Sequence, residues 1–164
     1  MIKEKFGHGR IIKINKEEIN KLKHRAQLAA LRRARLCLHK NEKDPLQEMV
    51  IVLCKNSYIR PHRHKEKDES IHVIEGAFYL VIFNANGLVS ERIFVKQNGS
   101  QGHIVCRVKE NVWHTIIPLS DFVVFHEVIR GPFRGPKSRE FASWAPEEGK
   151  IAKEFINTIL TKNA

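Results

Sequence analysis

Two histidines one residue apart, His62 and His64, are followed by a carboxylate at Glu69, a glycine at Gly76 and, much later, a third imidazole at His114. Strand side chains alternate with period two, so His62 and His64 point to one face and can share a ligand. Glu69 stands beyond a charged turn (Lys65, Glu66, Lys67, Asp68) and just before an apolar run, where it can bring a carboxylate to the same spot. His114 would complete the set. Imidazole nitrogens and one carboxylate suit one divalent transition metal such as Fe, Mn, Ni, Co or Zn, rather than Mg or Ca, which prefer all-oxygen shells. The chain has nine histidines, and any one of them is by default structural or solvated. His72, the main competitor for a ligand place, has the opposite strand parity to Glu69 and is expected to point away. His103 and His126 fall on expected strands, where either could line the cavity, and are read first as core or surface positions.

The elements that must hold this set are short strands. Before them, Asn15 and Glu18 have the spacing of a capping box, which predicts a helix from Lys16 to about Arg33 with Ile19, Leu22, Ala26, Ala29 and Ala30 as its apolar stripe. A short strand is expected over residues 36–39. Residues 47–54 read as a strand apolar on both sides, as in a sheet covered on both faces. Residues 58–64 carry the first two histidines, with Pro61 confining that segment to an edge or irregular strand. Strands over 70–75 and 77–83 hinge at Gly76, and Asn84-Ala85-Asn86-Gly87 is a hairpin turn. Further strands are expected at 88–95, 103–108, 113–117 and 122–129, with a turn over 97–102. Some eight strands at this spacing indicate an all-β barrel or sandwich. Gly131 to Pro136 is expected to end the sheet. Ala145-Pro146-Glu147-Glu148 is expected to open a C-terminal helix with Ile151, Phe155, Ile156, Ile159 and Leu160 on its apolar face. The organisation is therefore read as one structural domain: residues 1–45 as a helix and strand packed on the barrel, 46–133 as the barrel, and 134–164 as a C-terminal extension and helix.

Composition bounds what the site can serve. The chain has 164 residues, enough to bury a real core. Its 29 Lys and Arg against 18 Asp and Glu give a net charge of +11, which favours anionic partners. The basic residues are scattered, and no helix-turn-helix or aromatic RNA-binding signature accompanies them, so a small anionic molecule is the expected partner rather than nucleic acid. No apolar run approaches a membrane span, and the charged start, residues 1–5, lacks the apolar middle of a signal peptide, so a cytoplasmic location is expected. Cys37, Cys54 and Cys106 are odd in number and far apart in apolar runs, which reads as buried free thiols rather than a disulfide framework.

His62-x-His64, Glu69 and Gly76 resemble the first motif of the cupin superfamily, and His114 sits where the histidine of its second motif would come. Asn56, Lys109, Asn111 and Pro118 depart from the usual residues of those motifs; Asn111 can replace a turn glycine because asparagine tolerates the left-handed conformation. More closely, Tyr58 to His64, Ile74-Glu75-Gly76, Trp113-His114-Thr115, Gly131-Pro132-Phe133 and Phe141 to Glu147 resemble the WbuC-type cupin fold metalloproteins, which are associated with bacterial O-antigen and other surface-polysaccharide gene clusters. The likeness extends to Arg33, Arg35 and His39. It implies a cupin jelly roll (double-stranded β-helix) with N- and C-terminal helices, a dimer, and one metal held by His62, His64, Glu69 and His114. Tyr58, Arg60, Tyr79, Trp113 and Glu127 are candidates to shape a substrate pocket, with Arg60 favoured for gripping an anion bidentately. Three roles are open: a metal-dependent isomerase or epimerase acting on a sugar or nucleotide sugar, an Fe-dependent dioxygenase, and a non-catalytic binding or sensory module.

Overall fold

The computed structural model describes residues 9–98 and 101–161. They form α1 (Lys16–Leu28), β1 (Arg33–Cys37), β2 (Leu46–Cys54), β3 (His62–Arg63), β4 (Glu69–Glu75), β5 (Ala77–Phe83), β6 (Val89–Lys96), β7 (Val105–Val108), β8 (Trp113–Pro118), β9 (Phe122–Arg130), a 3-10 turn at Gly135–Ser138, β10 (Glu140–Phe141) and α2 (Lys150–Thr161). The strands make two five-stranded antiparallel sheets, one in the order β1-β2-β9-β4-β7 and the other β10-β3-β8-β5-β6. This is the expected all-β jelly roll with a helix at each end. The charged start and the centre of the 97–102 turn lie outside the described residues.

Strand alternation builds three apolar layers. Between the sheets, Leu53, Ile71, Val73, Phe78, Leu80, Val95, Ile116, Val123 and Phe125 form the barrel core. The opposite faces of the same strands are covered by helices. Val50, Val52 and Cys54 of β2 and Val124 of β9 meet Leu22 and Ala26 of α1. Val81 and Phe83 of β5 and Ile117 of β8 meet Ile159 of α2, flanked by Trp144 and Phe155. Strand β2 is thus apolar on both sides because a helix lies on one side and the barrel interior on the other. Each fully buried Val, Leu or Phe in these layers stabilises the fold by roughly 1.5–3 kcal/mol.

Helix α1 begins as its sequence predicts. The Asn15 side chain accepts from the Glu17 and Glu18 amides, and the Asn15 amide donates to Glu18 Oε2 at 2.8 Å. It ends five residues earlier than expected. Ala29 is extended (φ −73°, ψ 139°), and Arg32 turns the chain at φ 54°. Arg33 to Cys37 then pair residue for residue with Leu53 to Met49. Sheet pairing outweighs the helix propensity of Ala29, Ala30 and Leu31, so β1 starts at Arg33 rather than at Leu36, and exposed Ala30 belongs to no helix face.

The sheet likewise does not stop at Gly131. After the 3-10 turn, Glu140 and Phe141 pair with Arg63 and His62, giving a short strand with no periodic signal of its own. Nor does α2 open at Pro146. Tyr58 donates its hydroxyl to Pro146 O at 2.8 Å, while Glu147 and Glu148 pair with Arg60 and Arg33. These contacts hold residues 146–148 against the sheet, and the helix begins at Lys150 with Ile151 exposed and Ala152 buried instead. Of the cysteines, Cys37 and Cys54 are buried and free; Cys106 is free but half-buried.

Gly76 is required where β4 turns into β5. Its φ is +81°, and a Cβ there would lie 2.3 Å from Phe122 O. Asn111, with φ 63°, takes the left-handed turn position before β8 that asparagine tolerates.

Candidate metal centre

The four sequence-predicted ligands converge. His62 lies on β3 directly opposite His114 on β8, His64 follows β3, and Glu69 is the first residue of β4. All four are buried, and one donor atom from each lies within 4.8 Å of the others. The ring centroids of His62 and His114 are 4.6 Å apart, and those of His62 and His64 5.2 Å.

Backbone carbonyls fix which nitrogen of each ring faces the centre. Nδ1 of His62 meets Arg60 O at 3.0 Å, Nδ1 of His64 meets Ser138 O at 2.9 Å, and Nδ1 of His114 meets Val112 O at 2.9 Å. A carbonyl oxygen only accepts, so each Nδ1 carries the hydrogen and each Nε2 turns inward with its lone pair. Metal-binding histidines are oriented in this way, by a second partner on the outer nitrogen. Glu69 is aimed at the same point: Oε1 lies 2.5 Å from His114 Nε2, and Oε2 lies 3.5 Å from His64 Nε2. Oε1 is buried and receives no hydrogen bond. Three inward lone pairs around a buried carboxylate need a cation or an extra proton between them, so the donor set fits a divalent transition metal.

The electrostatics agree. Burial, then the charge of His114, holds His62 well below its ordinary range, so it is neutral and ready to ligate. Burial alone would raise Glu69, but His114 and His64 outweigh it and keep the carboxylate well below the usual range. Burial pushes His114 down, while the adjacent Glu69 pushes it up and prevails.

The centre opens into a cavity of about 680 Å³, within the range of small-molecule sites. Ile51, Leu53, Ile71 and Phe125 form its apolar wall, and Arg35, Glu127 and Arg139 are among its polar groups. Six basic side chains and three carboxylates line it in all. Burial, followed by the charge of Glu69, pushes Glu127 up to about 7.

Of the pocket candidates, Glu127 is inside. Among the described residues Tyr58, Arg60, Tyr79 and Trp113 do not line this cavity. Tyr79 and Trp113 alternate with inward-facing residues and pack under α2, and Arg63 stacks on Trp113 at 4.5 Å. Arg60 donates to Glu147 and to Ala142 O in a smaller, neighbouring cleft. Strand parity places His72 as expected, exposed on the outer side; His103 is also exposed, and His126 pairs with Glu48 at 2.9 Å. Sequence reasoning did not single out Arg139, which lies in an irregular segment. Arg35 was legible in part, since it shares parity with Arg33 and Cys37 on β1 and all three face the cavity.

Residues 14–95, half of the chain, match the model of a family described as Domain of unknown function (DUF6016). The chain belongs to this family. A search of curated proteins finds no match. Among solved structures, it is similar to an uncharacterized conserved protein with a double-stranded β-helix domain from Klebsiella pneumoniae, at 17% identity and a TM-score of 0.50 over 67% of this chain and 79% of that one. It is also similar to the capsular polysaccharide assembling protein CapF from Staphylococcus aureus, at 20% identity and a TM-score of 0.53 over 66% of this chain and 31% of that one. An oxalate decarboxylase from Lactobacillus farciminis matches at 14% identity and a TM-score of 0.51 over 66% of this chain and 31% of that one. The chain thus corresponds to less than a third of the latter two proteins. These likenesses establish the fold of this DUF6016 member as the cupin double-stranded β-helix. No helix among the described residues is long and apolar enough to cross a membrane.

Proposed function

We propose that this DUF6016 cupin holds one divalent transition metal through His62, His64, Glu69 and His114 and uses it to bind and act on a small, oxygen-rich anionic metabolite. The observation that carries this reading is the opening of a buried four-donor cluster into a cavity with a basic lining. A metal held there supplies Lewis acidity toward substrate oxygens. The protein's own groups do the rest. The apolar wall excludes water, the arginines attract and orient the anion, and Glu127 Oε, placed in the cavity with its affinity for a proton pushed to about pH 7, can hold or release a proton near neutrality.

A sugar, sugar phosphate or nucleotide sugar of surface-polysaccharide synthesis is the substrate class favoured by the WbuC-type motifs. The relative described as a capsular polysaccharide assembling protein is consistent with that setting, although its likeness speaks to fold. The test is a thermal-shift and product-detection screen of metal-loaded protein against sugars, sugar nucleotides and carboxylates. Stabilisation and conversion of a sugar derivative is the expected result. Stabilisation with the ligand unchanged would make this a binding module, substrate-dependent oxygen uptake with Fe(II) would make it a dioxygenase, and no response to any sugar derivative would overturn the assignment.

A further inference from the structure

Beside the main cavity lies a second cleft of about 360 Å³, and Arg33, Ile59 and Arg139 line both. The two spaces therefore adjoin, and Arg139 stands at the junction. Its backbone is tied to the metal centre on both sides. The carbonyl of Ser138, the residue before it, anchors His64; Phe141, two residues after it, is the strand partner of His62. The charge of Arg139 is felt at His62 and at Glu127.

The other arginines of the second cleft are engaged. Arg33 donates to Tyr58 O and pairs with Glu148, and Arg60 pairs with Glu147. Arg139 differs from them. Its guanidinium lies 5.8 Å from the Phe141 ring, and it has no carboxylate or hydrogen-bond partner among the described residues. A guanidinium held at the cavity junction with no carboxylate in direct contact is suited to bidentate capture of an anionic oxygen group.

We propose that Arg139 is a specificity-determining residue that binds a phosphate or carboxylate at the far end of a ligand whose near end offers oxygen donors to the metal. The ligand class is thus an elongated one: an oxygen-chelating head in the barrel and an anionic tail at the junction of the two cavities. The proposal rests on the metal-centre reading above.

Glycerate and 3-phosphoglycerate share a hydroxy-carboxylate head and differ by the phosphate, so calorimetric titration of both into the metal-loaded full-length protein isolates the tail. Wild type should favour phosphoglycerate. Arg139→Gln should weaken phosphoglycerate binding by roughly tenfold to a hundredfold, the size of a charged hydrogen bond, with glycerate affinity and metal content unchanged, and Arg139→Lys should fall between. A wild type without the preference, or an Arg139→Gln variant that binds both as wild type or loses both alike, would overturn the proposal. Elemental analysis reports separately on the metal reading. If wild type takes up no metal, inorganic phosphate is tested on the metal-free protein: thermal protection abolished by Arg139→Gln upholds the anion site, and unchanged protection overturns it.

Discussion

Glu127 is the group in the cavity whose protonation should be visible in the stability of the whole fold. It lies on β9, level with Ile71 on β4 and Met49 on β2, with its side chain in the barrel. Burial raises its affinity for a proton most, and the nearby charge of Glu69 raises it further; Arg139, His64 and Arg35 pull the other way without prevailing. The result is a rise from 4.5 to about 7. In the native protein Glu127 therefore keeps its proton at pH values where the unfolded chain has lost it. Its contribution is fully present below pH 4.5 and is lost as pH climbs to about 7. At about 1.4 kcal/mol per pH unit, the change across that window is roughly 3 kcal/mol.

Glu127→Gln isolates this effect, because glutamine keeps the shape of the protonated acid and cannot ionise. Melting of metal-free wild type and variant would be followed from pH 5 to pH 8. The variant should gain on wild type as pH rises, by roughly 6–12 °C in Tm at the top of the range, given about 2–4 °C per kcal/mol for a chain of this size. Titrating groups remote from the cavity are common to both proteins and cancel in the difference, while Glu69 and His114, which feel the charge of Glu127, shift with it and belong to the effect being read. A Tm difference that stays constant with pH would refute the raised proton affinity of Glu127 in this cavity.

The metal ligands and the hinge of the barrel make their own predictions. His62→Ala, His64→Ala and His114→Ala should each lose, on gel filtration, the metal that wild type retains by elemental analysis; outer partners of metal ligands are worth roughly 10–100-fold in affinity, and a ligand itself more. Full metal content in all three would refute the site. Gly76→Ala should destabilise by about 2–3 kcal/mol in urea unfolding, from a left-handed φ and a Cβ driven against Phe122 O; a loss under 0.5 kcal/mol would mean that the hinge is not constrained as described.

The legible part of this protein was the part governed by spacing. His62 and His114 lie opposite each other on one sheet and Glu69 reaches the same point from the other, because period-two alternation turns each of them inward, and the same parity turned His72 away. Applied to every strand, that rule would also have excluded Trp113, which adjoins inward-facing His114, and Tyr79, which alternates with core residues Phe78 and Leu80. What spacing could not give was the outcome of competition between local and distant contacts. Ala29 to Leu31 favour helix by themselves but are taken up in the turn that delivers β1 to β2. Pro146 to Glu148 look like the first turn of a helix but are spent on Tyr58, Arg60 and Arg33. Strand β10 exists only as the partner of β3.

That last pairing explains why the site cannot be understood from the barrel motifs alone. The three histidines are oriented by carbonyls from three separated places: Arg60 before β3, Val112 before β8, and Ser138 in the strap that follows β9. The family match, over 14–95, covers His62, His64 and Glu69 but reaches neither His114 nor Ser138. A ligand ring set by a neighbour two residues away is positioned by the local turn. His64 is different, since its partner lies 74 residues on, and the segment that supplies it continues directly into Arg139 and then into Phe141, level with His62. The residues that aim one ligand are thus continuous with the arginine at the cavity junction.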